Sequence, residues 1–356
     1  MIIIKNGQVV NEKGEPLLLN AREQAVADRN QRIVNELGFN IDITTLTTIV
    51  REVSEQKFFE IAPADYLPVR VGEGAWSQHL TTYKSFALGD DFETGILNTG
   101  GNNARLAVAD AGVDSVTIPI SNWAKQIGYT LFDLELAAQS GNWDLVTSKE
   151  ESRVKNWQLG IQKVAFVGTK SGKHKGLYNL VGITPNTTVI PKFIGAMSPA
   201  ELKSLVGKLI GTFRMNCAHT AWPTHFIIPE NDYTALSNQA SADFPIKSVL
   251  QLLEEAFRQT TKNAGFQILP NAYGQKEHNP AGKNRYILEN YDAKSIRMDL
   301  PVDYTNTVAN SIDNFSFQNV GYGQFTGVGL YRELEIMYFD HEEDFPADMD
   351  FPEVTP

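Results

Sequence analysis

The segment Gly168-Thr-Lys-Ser-Gly-Lys-His174 is the stretch of this chain that comes nearest to a catalytic motif, a phosphate-cradling loop. Such a loop needs four residues between its glycines and a hydroxyl residue after the lysine. Backbone amides then ring the phosphates and the hydroxyl holds magnesium. Here three residues separate the glycines, and His174 stands where the hydroxyl should be. The segment also follows a predicted helix, whereas the motif follows a strand. It reads as a solvated basic loop. Gly321, Gly323, Gly327 and Gly329 loosely imitate a dinucleotide fingerprint, but the spacing is wrong and no helix follows. Glycines that let strands turn or approach closely are the simpler reading.

Metal and nucleophile chemistry finds no better footing. The six histidines are His79, His174, His219, His225, His278 and His341, and no HxH or HExxH spacing occurs among them. The nearest pair, His219 and His225, straddles Pro223. His341-Glu-Glu-Asp344 reads as the start of a solvated acidic tail. No Gly-x-Ser-x-Gly elbow is present. Asp90-Asp91 and Glu254-Glu255 are adjacent acids, but adjacency in sequence does not set carboxylates opposite each other. Cys217 is the single cysteine, which excludes an intrachain disulfide and a cysteine metal cluster. It reads as a small, half-buried apolar residue. No catalytic, cofactor-binding or metal-ligating residue is assigned. An α/β enzyme whose site has no local motif stays open as a rival.

The elements around these residues carry more information. The 356 residues are 42% hydrophobic and 21% charged, enough for a real core. The net charge of −11 repels phosphate and argues against sequence-specific nucleic-acid binding. Ile2-Ile-Ile4 before Lys5 is too short for a signal peptide, and no run approaches a membrane span. One cysteine fits a reducing cytoplasm.

Val9-Val10 and Leu17-Leu18-Leu19 suggest a strand pair around a turn at 11–14. Helices are expected from Asn20 to Leu37 and over 45–60. Residues 69–118 then spread a few apolar residues (Val69, Val71, Trp76, Leu80, Tyr83) thinly through polar ones. Asn98-Thr-Gly-Gly-Asn-Asn103 is turn chemistry, and Val113, Val116, Ile118 and Ile120 mark a return leg. This predicts a long β-hairpin with legs on the order of 60 Å. Two strands bury too little to fold alone, so the ribbon needs a surface, and a neighbouring copy is the natural one.

Gly128-Tyr129-Thr130 reads as strand leading into a short helix. Val146, Val154, Trp157, Ile161 and Val164 keep helical spacing over 144–166, with Gly168 as the stop. Ser198-Pro199-Ala200-Glu201 is a capping box with proline at the first helical position. Strands are expected at 224–229, 266–269, 285–288 and in 315–339, and helices from Asn231 and over 246–262. From Asp340 to Pro356 the chain carries seven acids and no Lys or Arg.

This order of parts resembles the major capsid proteins of tailed bacteriophages, the Hong Kong 97-type fold shared with encapsulins. Three stretches carry the resemblance. Ile118-Pro-Ile-Ser-Asn-Trp-Ala-Lys-Gln-Ile-Gly-Tyr-Thr130 looks like the strand leaving the family's extended loop. Leu159-Gly-Ile-Gln-Lys-Val-Ala-Phe-Val-Gly168 with Gly176-Leu-Tyr-Asn179 looks like the end of its spine helix. Phe226-Ile-Ile-Pro229 with Tyr233-Thr-Ala-Leu236 looks like a strand and helix of its axial domain.

The resemblance implies an α+β fold and a division of the chain. N-terminal arm and helices would occupy 1–68 and the extended loop 69–118. A peripheral domain would occupy 119–195 with its spine helix at 144–166, an axial domain 196–310, returning strands 311–340 and an acidic tail 341–356. It implies a non-enzymatic shell subunit in the virion, assembled in the host bacterial cytoplasm. Subunits would form pentamers and hexamers, with the loop lying over a neighbour. Scaffolding, portal and decoration proteins would be separate partners, because the first 40 residues are too few for a large scaffolding segment. Packaged double-stranded DNA would lie nearby without specific contact. Lys170, Lys173 and Lys175 would face solvent, a neighbour's acids or DNA phosphates. Lys84 and Lys170 are conceivable crosslinking lysines, but nothing selects them and no crosslink is expected. An encapsulin shell around a cargo enzyme, and a phage adhesin or decoration protein, are the remaining alternatives.

Overall fold

The computed structural model describes residues 3–5, 8–10, 59–88, 110–139, 145–238, 247–313 and 315–341. It separates into two units, 1–57 and 58–356. In the first, β1 (Ile3–Lys5) pairs antiparallel with β2 (Gln8–Val10), Ile3 opposite Val10. Among the described residues Val9-Val10 pairs with Ile3–Lys5, and Leu17–Leu19, the partner the sequence suggests, lies outside them. The overlooked signal is Asn6-Gly7, the dipeptide favoured in two-residue hairpin loops. The expected helix at 20–37 lies outside the described residues, as do most of the one at 45–60, the hairpin tip and the tail beyond His341.

Among the described residues, the second unit is built on three sheets. β3 (Val69–Val71) runs parallel to β9 (Ile296–Leu300), which pairs on its other side with β13 (Val328–Leu330). A second sheet has the order β10-β12-β5-β4, from β4 (His79–Leu88), β5 (Asp110–Thr130), β10 (Val302–Asn306) and β12 (Ser316–Thr326); β11 (Asn310–Ser311) adds to β12. The third has the order β14-β8-β6-β7, from β6 (His225–Pro229), β7 (Gln267–Asn271), β8 (Asn284–Glu289) and β14 (Ile336–His341). Helices α1 (Leu131–Gln139) and α2 (Leu145–Phe166) follow β5 directly. Helices α3 (Pro199–Asn216), α4 (Glu230–Asn238) and α5 (Val249–Thr261) belong with the third sheet.

That third sheet is buried on both faces, and its alternation sorts its side chains between two cores. Phe226, Ile228, Tyr286, Leu288, Met337 and Phe339 join Leu205, Leu209, Phe213, Leu253 and Phe257 of the helices. Ile227, Ile287, Ile336 and Tyr338 join Phe166, Leu177 and Tyr178 at the end of α2. One layer of strands thus joins the three-helix part to the end of α2. The capping box forms as the sequence suggests: Ser198 accepts from the Glu201 amide and Glu201 reaches back to Ser198. Three expectations shift. Val69–Val71 pairs with β9 and does not extend the ribbon, which starts at His79. β9 and β10, inside the 196–310 segment, pack on the α2 side. β14, inside 311–340, completes the helix-backed sheet, because Met337 and Phe339 carry apolar side chains to its helical face.

Candidate assembly surface

β5 takes part in two structures at once. Its first half pairs with β4, from Leu88 opposite Asp110 to His79 opposite Pro119. Its second half pairs with β12, from Ile120 opposite Thr326 to Thr130 opposite Ser316. The ribbon is therefore a continuous extension of a body sheet. Ten-residue β4 spans ~33 Å at ~3.3 Å per residue.

The ribbon is locked at its base. Arg297 Nη2 donates to Thr82 Oγ1 at 2.8 Å, Arg297 Nε lies 3.2 Å from Asp299 Oδ2, and the guanidinium stacks 4.3 Å over Tyr331. Ile118 is buried against Gly329, where any Cβ would strike its side chain. Further out, none of residues 81–85 and 111–117 is buried. Thr81, Tyr83 and Ser85 share one wholly exposed face with Thr117, Ser115 and Val113. Tyr83 is 74% exposed and Val113 67%. Both side chains stand in water on a two-stranded ribbon, which buries little surface by itself.

A second apolar patch lies at the other end of β5. Thr130 and Asp133 cap α1 reciprocally, at 3.2 Å and 2.9 Å. The helix leaves Leu131, Phe132 and Leu136 exposed, with Phe315 packed 4.9 Å from the Phe132 ring.

Between the two patches, α2 is fixed to the sheet. Trp157 is buried among Trp123, Tyr304 and Phe325. Arg153 is buried too, donating to Tyr304 Oη at 2.7 Å, Asn319 Oδ1 at 2.9 Å and Asn306 Oδ1 at 3.1 Å. This explains two of the four glycines that imitate a fingerprint. A Cβ at Gly321 would stand 2.7 Å from Arg153 Nε, and one at Gly323 would stand 2.5 Å from the Trp157 ring. Gly327 likewise makes room for the backbone of Lys175, 2.9 Å from an added Cβ. These glycines serve close approach between elements.

The loop at 168–174 is a tight hairpin-like turn. Gly168 bridges Lys175, the Thr169 amide donates to the His174 carbonyl at 3.0 Å, and the Gly172 amide donates to the Thr169 carbonyl at 2.9 Å. Those amides are consumed by the loop itself. His174 is buried with Nε2 2.7 Å from Ser121 Oγ, and burial lowers its pKa. Lys170 and Lys173 are exposed. Glu254 and Glu255 point to different partners, Arg258 at 3.0 Å and Lys247 at 2.6 Å. Cys217 is buried, closer to the core than expected, with Sγ 3.4 Å from the Ala221 carbonyl. Asp90 and Asp91 lie outside the described residues. Among the described residues, no three His, Cys, Asp or Glu side chains gather as a metal site, and no helix is long and apolar enough to cross a membrane.

Sequence reasoning missed the buried ionisable groups. Arg285 holds Asp340 through two bonds, at 2.7 Å and 2.6 Å, directly across the β8–β14 pair. Tyr286 donates to Asp232, which also accepts from the Gly195 amide at 3.0 Å. Burial pushes the Asp232 carboxyl up to about 6. Glu289 is fully buried, neither carboxylate oxygen has a hydrogen-bond partner among the described residues, and burial pushes it up to about 8. Strand alternation places Arg285 and Glu289 on the same face as Ile287. No local sequence signal separates them from solvated charges.

A family model described as major capsid protein matches residues 96–341. No curated protein matches this chain in sequence. The capsid of Myoviridae phage XM1 is similar in structure at a TM-score of 0.68 and 16% identity, covering 85% of this chain and 99% of that one. The capsid of cyanophage P-SCSP1u gives 0.51 at 12% identity, covering 83% and 92%. A structure from Mycobacterium phage Bobi gives 0.50 at 13% identity, covering 84% and 95%. At these identities the likeness is one of fold, the α+β Hong Kong 97-type fold. The family match spans most of the chain, from residue 96 to the last strand, and the chain belongs to the major capsid protein family.

Proposed function

We propose that this chain is the shell subunit of a tailed bacteriophage, assembling as pentamers and hexamers into an icosahedral wall around double-stranded DNA. The observation that carries this reading is the ribbon of β4 and β5, anchored at Thr82 and Ile118 and unsupported beyond them. Its exposed Tyr83 face lies over a neighbouring copy. The α1 patch at the opposite end of β5 is suited to receive another copy. Contacts between unlike ends of a subunit are heterologous, and rotation closes them into rings. Each contact is modest, and many together hold the shell.

On this reading α2 and the sheets beside it form the peripheral part, and the α3–α5 layer points toward the symmetry axes. The net charge of −11 keeps the wall from sticking to its contents, so DNA contact is non-specific. Scaffolding, portal and decoration functions fall to separate proteins. Assembly takes place in the bacterial cytoplasm, and the chain catalyses no reaction.

The test is a double substitution, Tyr83→Asp with Val113→Asp. Both side chains are exposed, so the subunit keeps its circular dichroism and melting temperature, while sedimentation shows loss of shells. Normal shells from the double variant would refute the ribbon's role. Nucleic acid in particles from infected cells, rather than a cargo enzyme, supports the phage assignment over an encapsulin.

A further inference from the structure

A groove of about 350 Å³ opens beside the N-terminal half of α3. Met197 and Leu205 give it apolar walls, Ala200 and Ser204 a shallow floor, and Lys192, Glu201 and Lys208 a charged rim. Lys192 is engaged by Glu201 at 3.0 Å. Lys208 is exposed and makes no ion pair among the described residues.

The exposed face of α3 continues the floor. Ala200, Ser204, Gly207 and Gly211 share one side of the helix. Gly207 and Gly211 are exposed, and a Cβ at either would meet nothing within 4 Å. Packing within the subunit therefore does not require them. Each costs the helix about 1 kcal/mol relative to alanine. Small residues there suit another backbone lying close against the helix.

We propose that this groove is the docking site for the chain's own acidic C-terminal segment, residues 342–356. The last described residue, His341, ends β14 with its ring 4.4 Å from Phe193 and perpendicular to it. Phe193 is the neighbour in sequence of Lys192 on the groove rim. The segment thus leaves the fold beside the groove. Its fifteen residues can extend up to ~50 Å. It carries Glu342, Glu343, Asp344, Asp348, Asp350 and Glu353 with no Lys or Arg, which complements Lys208, the rim cation that no acid already holds among the described residues. Phe345, Met349 and Phe351 supply side chains for the apolar walls.

The test is zero-length carbodiimide coupling of the full-length, unassembled chain, read by mass spectrometry. Equal amounts of ordinary and ¹⁵N-labelled copies are mixed first, so links within and between copies differ in mass. Lys208 couples to carboxylates of 342–353 within one copy, at least five-fold more than Lys203, which is exposed on the same helix but off the groove. Phe345→Ala with Phe351→Ala lowers that yield several-fold, as does 0.5 M salt. Absence of tail links to Lys208, or equal coupling to Lys203, would overturn the proposal. So would links found only between copies, which would make the groove a contact between subunits. An unchanged yield in the double phenylalanine variant would overturn the proposal as well.

Discussion

Glu289 gives the clearest consequence of a single residue. Burial raises its carboxyl from 4.5 to about 8. Above the ordinary carboxyl range the unfolded chain has lost this proton while the folded chain keeps it. Stability from this group therefore falls as pH rises, until the folded group itself ionises near 8. Asp232 acts in the same sense only up to about 6. His174 and His225, both lowered by burial, act in the opposite sense below their ordinary 6.5. Between pH 6.5 and 8 Glu289 dominates, at ~1.4 kcal/mol per pH unit. Denaturant melts of Glu289→Gln across that range lose this slope; an unchanged slope would place the titration elsewhere. Gly323→Ala, which sets a methyl against Trp157, costs ~1–3 kcal/mol of stability by the same measurement. Neither residue announces itself in sequence. Glu289 looks like any strand-end acid, and Gly323 resembles half of a nucleotide fingerprint until the spine helix is packed on it.

The spine helix and the ribbon are legible as elements because their signals are local. Helical spacing of Val154, Trp157, Ile161 and Val164 predicts α2 to within a residue, and the Ser198 capping box fixes the start of α3. The hairpin follows from thin alternation around a turn. Its near boundary does not, because Val69 and Val71 alternate equally well as a strand of another sheet, and only pairing with β9 decides between them. The double role of β5 is hidden for the same reason: nothing in twenty-one residues of strand marks where one partner replaces the other. Trp157→Ala removes the side chain that pins α2 to β5 and β12 and destabilises the subunit by about 3–5 kcal/mol in thermal or chemical unfolding. Arg297→Ala frees Thr82 and loosens the ribbon's base, seen as faster hydrogen exchange in β4 with little change in α3.

For the whole molecule, the order of parts is more informative than any motif. Among the described residues, the lysine-rich loop resolves into a closed turn, the glycines into clearance for helix and strand, and Glu289 and Asp340 into the sheet between two cores. The seam sheet shows why domain edges drawn along the chain blur. Its strands come from 225–229, 267–271, 284–289 and 336–341, and they serve both cores by alternation. The fold leaves the ribbon's Tyr83 face exposed, and on the proposed reading a neighbouring copy covers it. The direct measurement is electron microscopy, beside the intact chain, of a variant lacking residues 89–108 at the ribbon's end. Closed shells from the intact chain, and a folded monomer without shells from the deletion, are the predicted result. Normal shells from the deletion would show that assembly does not need the ribbon.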